Sequence, residues 1–173
     1  YLTDFLGGGV LSMTPDGEDP QAHFTGAVEG VAMLPDDIAF APDGTMFVTD
    51  PRGMDGPGWE TPGRVVRIGV DGTASVLADD LPSPNGIVFD EEDAGLWVAQ
   101  YNANRIDYFA LDEERTRVVS AYPAIHVDGG IGRIDSTAVD AEGNIYQAFH
   151  EKAEIVVFAK TGEQIGVIRV PGE

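Results

Sequence analysis

One spacing constrains this chain more than any other feature: Asp36, Asn85 and Asp135 fall 49 and 50 residues apart, each at the same place in a recurring pattern. The stretches DIAFAPDGTMFVTD (37–50), GIVFDEEDAGLWVAQ (86–100) and STAVDAEGNIYQAFH (136–150) all read as strand, Gly-containing turn, strand. Apolar and β-branched runs broken by such turns are hairpin signals. Each hairpin is followed by a third and a fourth run: GRVVRIGVDG and TASVLADDL, NRIDYFALD and RVVSAYPAI, AEIVVFAKTG and EQIGVIRVPG. Almost nothing has helical period, so the chain is expected to be all-β. A four-stranded unit cannot bury both faces alone. A fixed period near fifty residues therefore predicts a β-propeller, in which each blade packs on the next.

The same template fits the first thirty residues with their first strand missing, through YLTDF, GVLSMTPDG and AHFTGAVEG. The expected organisation is a single partial propeller: 1–33 as the end of one blade, then 34–82, 83–131 and 132–173 as successive blades. Three blades and most of a fourth leave apolar end faces and strand edges to be covered. A further chain segment carrying the remaining blades, or a second copy forming a homodimer, is the expected partner. The start at Tyr1, already inside a strand, favours the fragment.

Charge narrows the other partners. Thirty acidic residues against ten basic ones give a formal charge of −20, which repels phosphate backbones and anionic lipid and attracts cations. Neither nucleic acid nor a membrane is expected as a partner, and no apolar run approaches the roughly 20 residues of a membrane helix. Only two of the basic residues are Lys, a balance that a salt-adapted surface also shows. Without any Cys, disulfides, thiolate nucleophiles and Cys-ligated zinc are excluded.

In a propeller the first strand of each blade lines the central channel, so equivalent positions at its start converge at one mouth. Asp36, Asn85 and Asp135 are such positions. Two carboxylates and a carboxamide, with the Ser136 hydroxyl beside them, suit a hard cation such as Ca²⁺, which takes 6 to 8 oxygen ligands. None of the slots is His, which argues against zinc. Asx residues also cap strand starts without any ion, and spacing alone leaves both readings open. The prolines of LPSPNGIVFD (81–90) would hold Asn85 rigidly.

LPDDIAFAPDGTMFVTD, SPNGIVFDEEDAGLWVAQYNANRI and IDSTAVDAEGNIYQAFHEKAEIVVFAKTGEQIGVIRVPG together resemble the senescence marker protein/gluconolactonase family of six-bladed propellers, and most of all its drug-responsive-protein type of bacterial lactonase. The likeness covers nearly the whole chain. It implies a calcium-dependent hydrolase of lactones, with Ca²⁺ or another divalent cation at the channel mouth. It implies that Asp36, Asn85, Asp135 and Ser136 hold the catalytic ion, that Asp37 serves a second, structural ion, and that Asp135 carries the proton transfer. Two departures stand out. The family's first ligand is a Glu from a blade with no counterpart in this chain. RIDS replaces an expected Gly-Pro-Asp-Ser, which places Arg133 near the site, where it steers an anionic substrate or pairs with surface carboxylates. FLGGGVL and VEGVAMLP are short where relatives build loops around the structural ion.

On this reading the metal polarises an ester carbonyl and activates water. Asp135 takes the proton, orients the water or opens as a nucleophile. Substrate contacts are expected from the loop DPRGMDGPGWE (50–60), whose Trp59 offers a stacking surface or covers a blade edge, and from His126, which faces the mouth or solvent. His23 and His150 are expected to be structural, and Asn102 and Asn104 to form a rim turn. A non-catalytic propeller scaffold and a phosphotriesterase-like hydrolase on the same ion are the competing functions.

Overall fold

Apolar alternation along the chain is realised as β-structure in a computed structural model that describes residues 1–52, 60–128, 130 and 133–171. The first sheet is three-stranded: β1 (Leu2–Asp4), β2 (Gly9–Ser12) and β3 (Gln21–Thr25), paired in that order. A short hairpin follows, β4 (Ala27–Val28) with β5 (Val31–Ala32), which the sequence pattern had not indicated. Three four-stranded antiparallel sheets come next. The second sheet holds β6 (Ile38–Phe40), β7 (Met46–Asp50), β8 (Gly63–Ile68) and β9 (Ala74–Leu81). The third holds β10 (Pro84–Phe89), β11 (Gly95–Gln100), β12 (Arg105–Leu111) and β13 (Val118–His126), with a 3₁₀ turn at Tyr101–Ala103. The fourth holds β14 (Arg133–Val139), β15 (Ile145–His150), β16 (Glu154–Phe158) and β17 (Gln164–Arg169). Each strand pairs with its neighbour in sequence. That is the arrangement of a propeller-type all-β chain.

Strand periodicity explains how the core is divided. Successive side chains point to opposite faces, so a central strand covered on both sides reads as a continuous apolar run. On β7, Met46 and Val48 pack back against Val10, Val28 and Met33, while Phe47 packs forward against Ile87 and Phe89. On β11, Leu96 and Val98 face the second sheet, and Trp97 and Ala99 face Ile134, Ile145 and Phe149 of the fourth. The core is thus three clusters, one at each junction between consecutive sheets. The hairpin turns carry Gly44, Gly72, Gly143 and Gly162 at positive φ, a backbone region that side chains with a Cβ seldom occupy.

Among the described residues one ion pair is fully buried. Arg64 Nε donates to Asp50 Oδ2 at 2.8 Å, and both side chains are almost wholly excluded from solvent. The other guanidinium nitrogens donate to Val28 O and Val31 O, each at 3.0 Å, and Leu34 N donates to Asp50 Oδ1 at 3.2 Å. Every charge there has a partner. The pair clamps the small β4–β5 hairpin onto the second sheet.

Candidate functional site

The first strands β6, β10 and β14 lie side by side around one cavity of about 360 Å³, lined among others by Asp37, Ile87 and Thr137. A second cavity of about 260 Å³ opens beside it along Leu2, Thr3, Asp36 and Asp37. All three first strands begin with the same irregularity, two residues facing one on the second strand. Asp36 N donates to Thr49 O and Thr49 N donates back to Asp37 O, at 2.9 and 3.0 Å, so Asp36 and Asp37 oppose Thr49 alone. Pro84 pairs with Gln100 and Ile87 with Val98, leaving Asn85 and Gly86 opposite Ala99. Ile134 pairs with Phe149 and Thr137 with Gln147, leaving Asp135 and Ser136 opposite Ala148. These are β-bulges, which re-aim side chains out of the regular alternation. Each bulge holds one of the three predicted positions.

Buried polar groups join the bulges. Thr49 Oγ1 accepts from Asp37 N at 3.0 Å and donates to Asn85 O at 2.6 Å, tying the second sheet to the third. Gln147 Nε2 donates to Asp135 O at 2.9 Å and to Ser136 O at 3.2 Å, while its Oε1 accepts from Thr137 Oγ1. Thr3 Oγ1 donates to Asp36 O at 2.6 Å. At Gly86 a Cβ would stand 2.6 Å from both Asp135 O and Thr137 Oγ1. Only Gly allows β10 to approach β14 so closely, which is why Asn85 is followed by Gly.

The site's electrostatics are those of like charges held together. Burial, then the nearby charges of Asp135 and Asp37, push the Asp36 carboxyl up to about 6. No hydrogen bond among the described residues offsets this. Asp37 is also raised, first by burial and further by Asp135, against the lowering effect of two backbone amides. Those amides are Ile38 N on Oδ1 at 2.8 Å and Ile87 N on Oδ2 at 3.2 Å, so Asp37 bridges β6 to β10 by itself. The amide oxygen of Asn85 is buried with no donor among the described residues, and the residue is 3% exposed. Carboxylates that repel one another beside an unsatisfied amide oxygen are a donor set suited to a hard cation. Among the described residues no group of three or more Asp, Glu, His or Cys forms a metal-holding cluster unaided. The Asn85 oxygen is the further donor that a cation at this place would draw on.

The predicted substrate contacts fare differently. Trp59 lies outside the described residues. Among the described residues Arg133 pairs with no carboxylate: it donates to Asn102 Oδ1 at 3.0 Å and stacks over the Tyr101 ring at 5.0 Å. It ties the rim of the third sheet to the start of β14. His126 is exposed at the end of β13, three strand spacings from β10 in the sheet order, or roughly 14 Å. It is not gathered with the bulge residues. Asn104, in the left-handed region at φ 47, closes the rim turn and donates to Gly130 O. Thr49 and Gln147 were not singled out from sequence. Their signal is there, since each is a polar residue in a strand of otherwise apolar pattern.

Bulged first strands converging on one cavity, with oxygen donors at their heads, place the chain in a known class. It belongs to the SMP-30/Gluconolactonase/LRE-like family, whose model matches residues 6–173. Among curated relatives it is 30% identical to the lactonase drp35 of Staphylococcus saprophyticus over 99% of this chain and 52% of that protein. It thus spans about half the length of the curated relatives it matches. Among solved structures it is similar to a gluconolactonase of Xanthomonas campestris, with 26% identity and a TM-score of 0.77 over 95% of this chain and 56% of that one. The fold is also that of regucalcin from Agrobacterium tumefaciens, described as a calcium-binding protein. There the TM-score is 0.70 and the identity 23%, over 80% of this chain and 46% of the other.

Proposed function

We propose that this chain carries the greater part of the active site of a calcium-dependent lactone hydrolase, as one portion of a six-bladed propeller. Asp36, Asn85, Asp135 and Ser136 are the ion's ligands in this reading, and Asp37 supports them from the channel side. The observation that carries it is a pair of features at the heads of neighbouring first strands: the buried Asn85 oxygen without a donor among the described residues, and an Asp36 carboxyl raised to about 6 by burial and then by its acidic neighbours. Both features are costly unless a cation is present for part of the working cycle. When bound, a divalent cation polarises the lactone carbonyl and makes water a better nucleophile. Asp135, held by Gln147 through its backbone carbonyl, receives the proton of the attacking water. Thr49 and Gln147 keep the bulges in register, so that the donors remain aimed at the mouth. The names of the curated relatives support lactones as the substrate class, as does that of the Xanthomonas gluconolactonase.

The test is thermal unfolding with calcium and with chelator, alongside hydrolysis of γ- and δ-lactones and of a phosphotriester. Calcium at a hundred times its Kd should stabilise the chain by about 2.7 kcal/mol, and lactones should be turned over in preference to the phosphotriester. Identical unfolding in calcium and chelator would sink the metal site. A scaffold function is the second reading, favoured by Asp37, whose two oxygens are both engaged by backbone amides. It predicts that identical unfolding and no turnover of either substrate.

A further inference from the structure

The three bulges are not served alike. The Asp36–Asp37 bulge has Thr49 hydrogen-bonded to it, and the Asp135–Ser136 bulge has Gln147. The Asn85–Gly86 bulge has a glutamine beside it too, Gln100, whose Cα partner is Pro84. Gln100 is fully buried, yet neither its Oε1 nor its Nε2 has a partner among the described residues. The Ser83 hydroxyl and the Asn85 oxygen are buried and unpartnered as well. Ser83 also holds φ 63, a left-handed backbone that costs energy in any residue with a Cβ. An unsatisfied buried amide costs on the order of 1–3 kcal/mol. Here two such amides and a hydroxyl lie along one short stretch.

Comparison along the repeat sharpens the anomaly. Asp50 ends β7 as Gln100 ends β11, and Asp50 is saturated by Arg64 across the register. The residue registered with Gln100 is Arg105, but its guanidinium turns to Asp107 on its own strand, at 2.8 and 3.2 Å. The arginine that could serve Gln100 serves something else, and the carboxamide is left for the bulge.

We propose that Gln100 is the positioning residue for Asn85. When the Asn85 oxygen turns to a cation, the Asn85 amide N–H donates to Gln100 Oε1, and the Ser83 hydroxyl accepts from Gln100 Nε2. Each of the four unpartnered atoms then has at least one partner, and the Asn85 oxygen is held at the mouth. Gln100 touches neither cation nor substrate. The inference rests on the cation reading above.

The experiment is a calcium titration by isothermal calorimetry, with thermal unfolding in chelator, on the full chain and its variants. Gln100→Met keeps the length and removes both polar atoms. It should weaken calcium binding about tenfold, the scale of an outer-sphere ligand partner, while leaving unfolding in chelator unchanged or higher. Gln100→Glu keeps the acceptor oxygen and should bind calcium within about threefold of wild type, which decides the matter if Gln100→Met does not fold. Asn85→Ala should weaken binding at least as much, and adding Gln100→Met to it should cost nothing further. Unchanged affinity in Gln100→Met, an equal loss in Gln100→Glu, or additive losses in the double variant would overturn the positioning role alone. Wild type that binds no calcium would overturn the metal site and this role together.

Discussion

Two charged arrangements among the described residues are built in opposite ways, one fully buried and one half-buried. At the junction of β8 with the small hairpin, Arg64 faces Asp50, and both ends of the pair are hydrogen-bonded to backbone as well. At the heads of β6 and β14, Asp36 feels the charge of Asp135 and has no cationic partner among the described residues, and at the head of β10 the Asn85 oxygen has no donor among them. The first arrangement is complete without help and serves the fold. The second is at odds with it. Local conflict of this kind is expected where a sequence keeps groups ready for a ligand rather than for stability.

The largest effect should come from breaking the complete pair. Arg64→Met leaves the Asp50 carboxylate buried without its counter-ion and frees the carbonyls of Val28 and Val31. A loss of about 3–5 kcal/mol is expected, read as a lowered denaturant midpoint in chelator. A loss below about 1 kcal/mol would show that the pair is as dispensable as a surface one. Next comes Asp36→Asn, which removes a like charge from the mouth. The calcium-induced stabilisation of about 2.7 kcal/mol at a hundred times Kd should vanish, and unfolding in chelator near neutral pH should become harder rather than easier. If the variant is less stable in chelator, Asp36 supports the fold, and the contrast drawn above is wrong.

The pH dependence follows from the same residue. Asp36 has a folded-state pKa near 6 against an ordinary 3.8, so between those values the folded chain keeps a proton that the unfolded chain has lost. Stability from this group is intact below about pH 4, falls as pH rises through 6, and is flat above. In chelator, wild type minus Asp36→Asn should therefore show a difference that grows from pH 4 to 7. Calcium should remove the wild-type decline. A difference that is constant across this range would place the raised pKa elsewhere.

The repeat carried most of the fold. Hairpin turns at Pro-Asp-Gly and Glu-Gly, and the double-faced apolar pattern of β7 and β11, are local signals, and the strands formed where those signals lie. The candidate site was legible only as an alignment: Asp36, Asn85 and Asp135 share a register because each stands at the head of a first strand. What could not be read is how those heads are shaped. A bulge is a relation between two strands, so neither GIVF nor WVAQ reveals that Asn85 and Gly86 together face Ala99. Nor does a polar residue such as Thr49 announce which backbone it will bond. The contacts of Arg133 were hidden for the same reason. Its partners Tyr101 and Asn102 belong to the preceding repeat and meet it only in the folded chain.

Arg133 supplies the smallest test of the contrast, because it is a charge placed near the mouth that takes no part in either buried arrangement. Its stacking on Tyr101 and its bond to Asn102 are at the surface, where such contacts contribute about 0.5–1 kcal/mol. Arg133→Ala should lower stability by that amount, equally in calcium and in chelator, with no change in calcium affinity. Were the arginine a substrate group instead, Arg133→Ala would raise KM for acidic lactones while leaving neutral ones alone, and unfolding would hardly shift. The two outcomes are separable in one preparation. If a cation at the mouth neutralises the acidic cluster as proposed, a surface guanidinium bound to a neighbouring turn has little left to steer, and the structural result is the one expected.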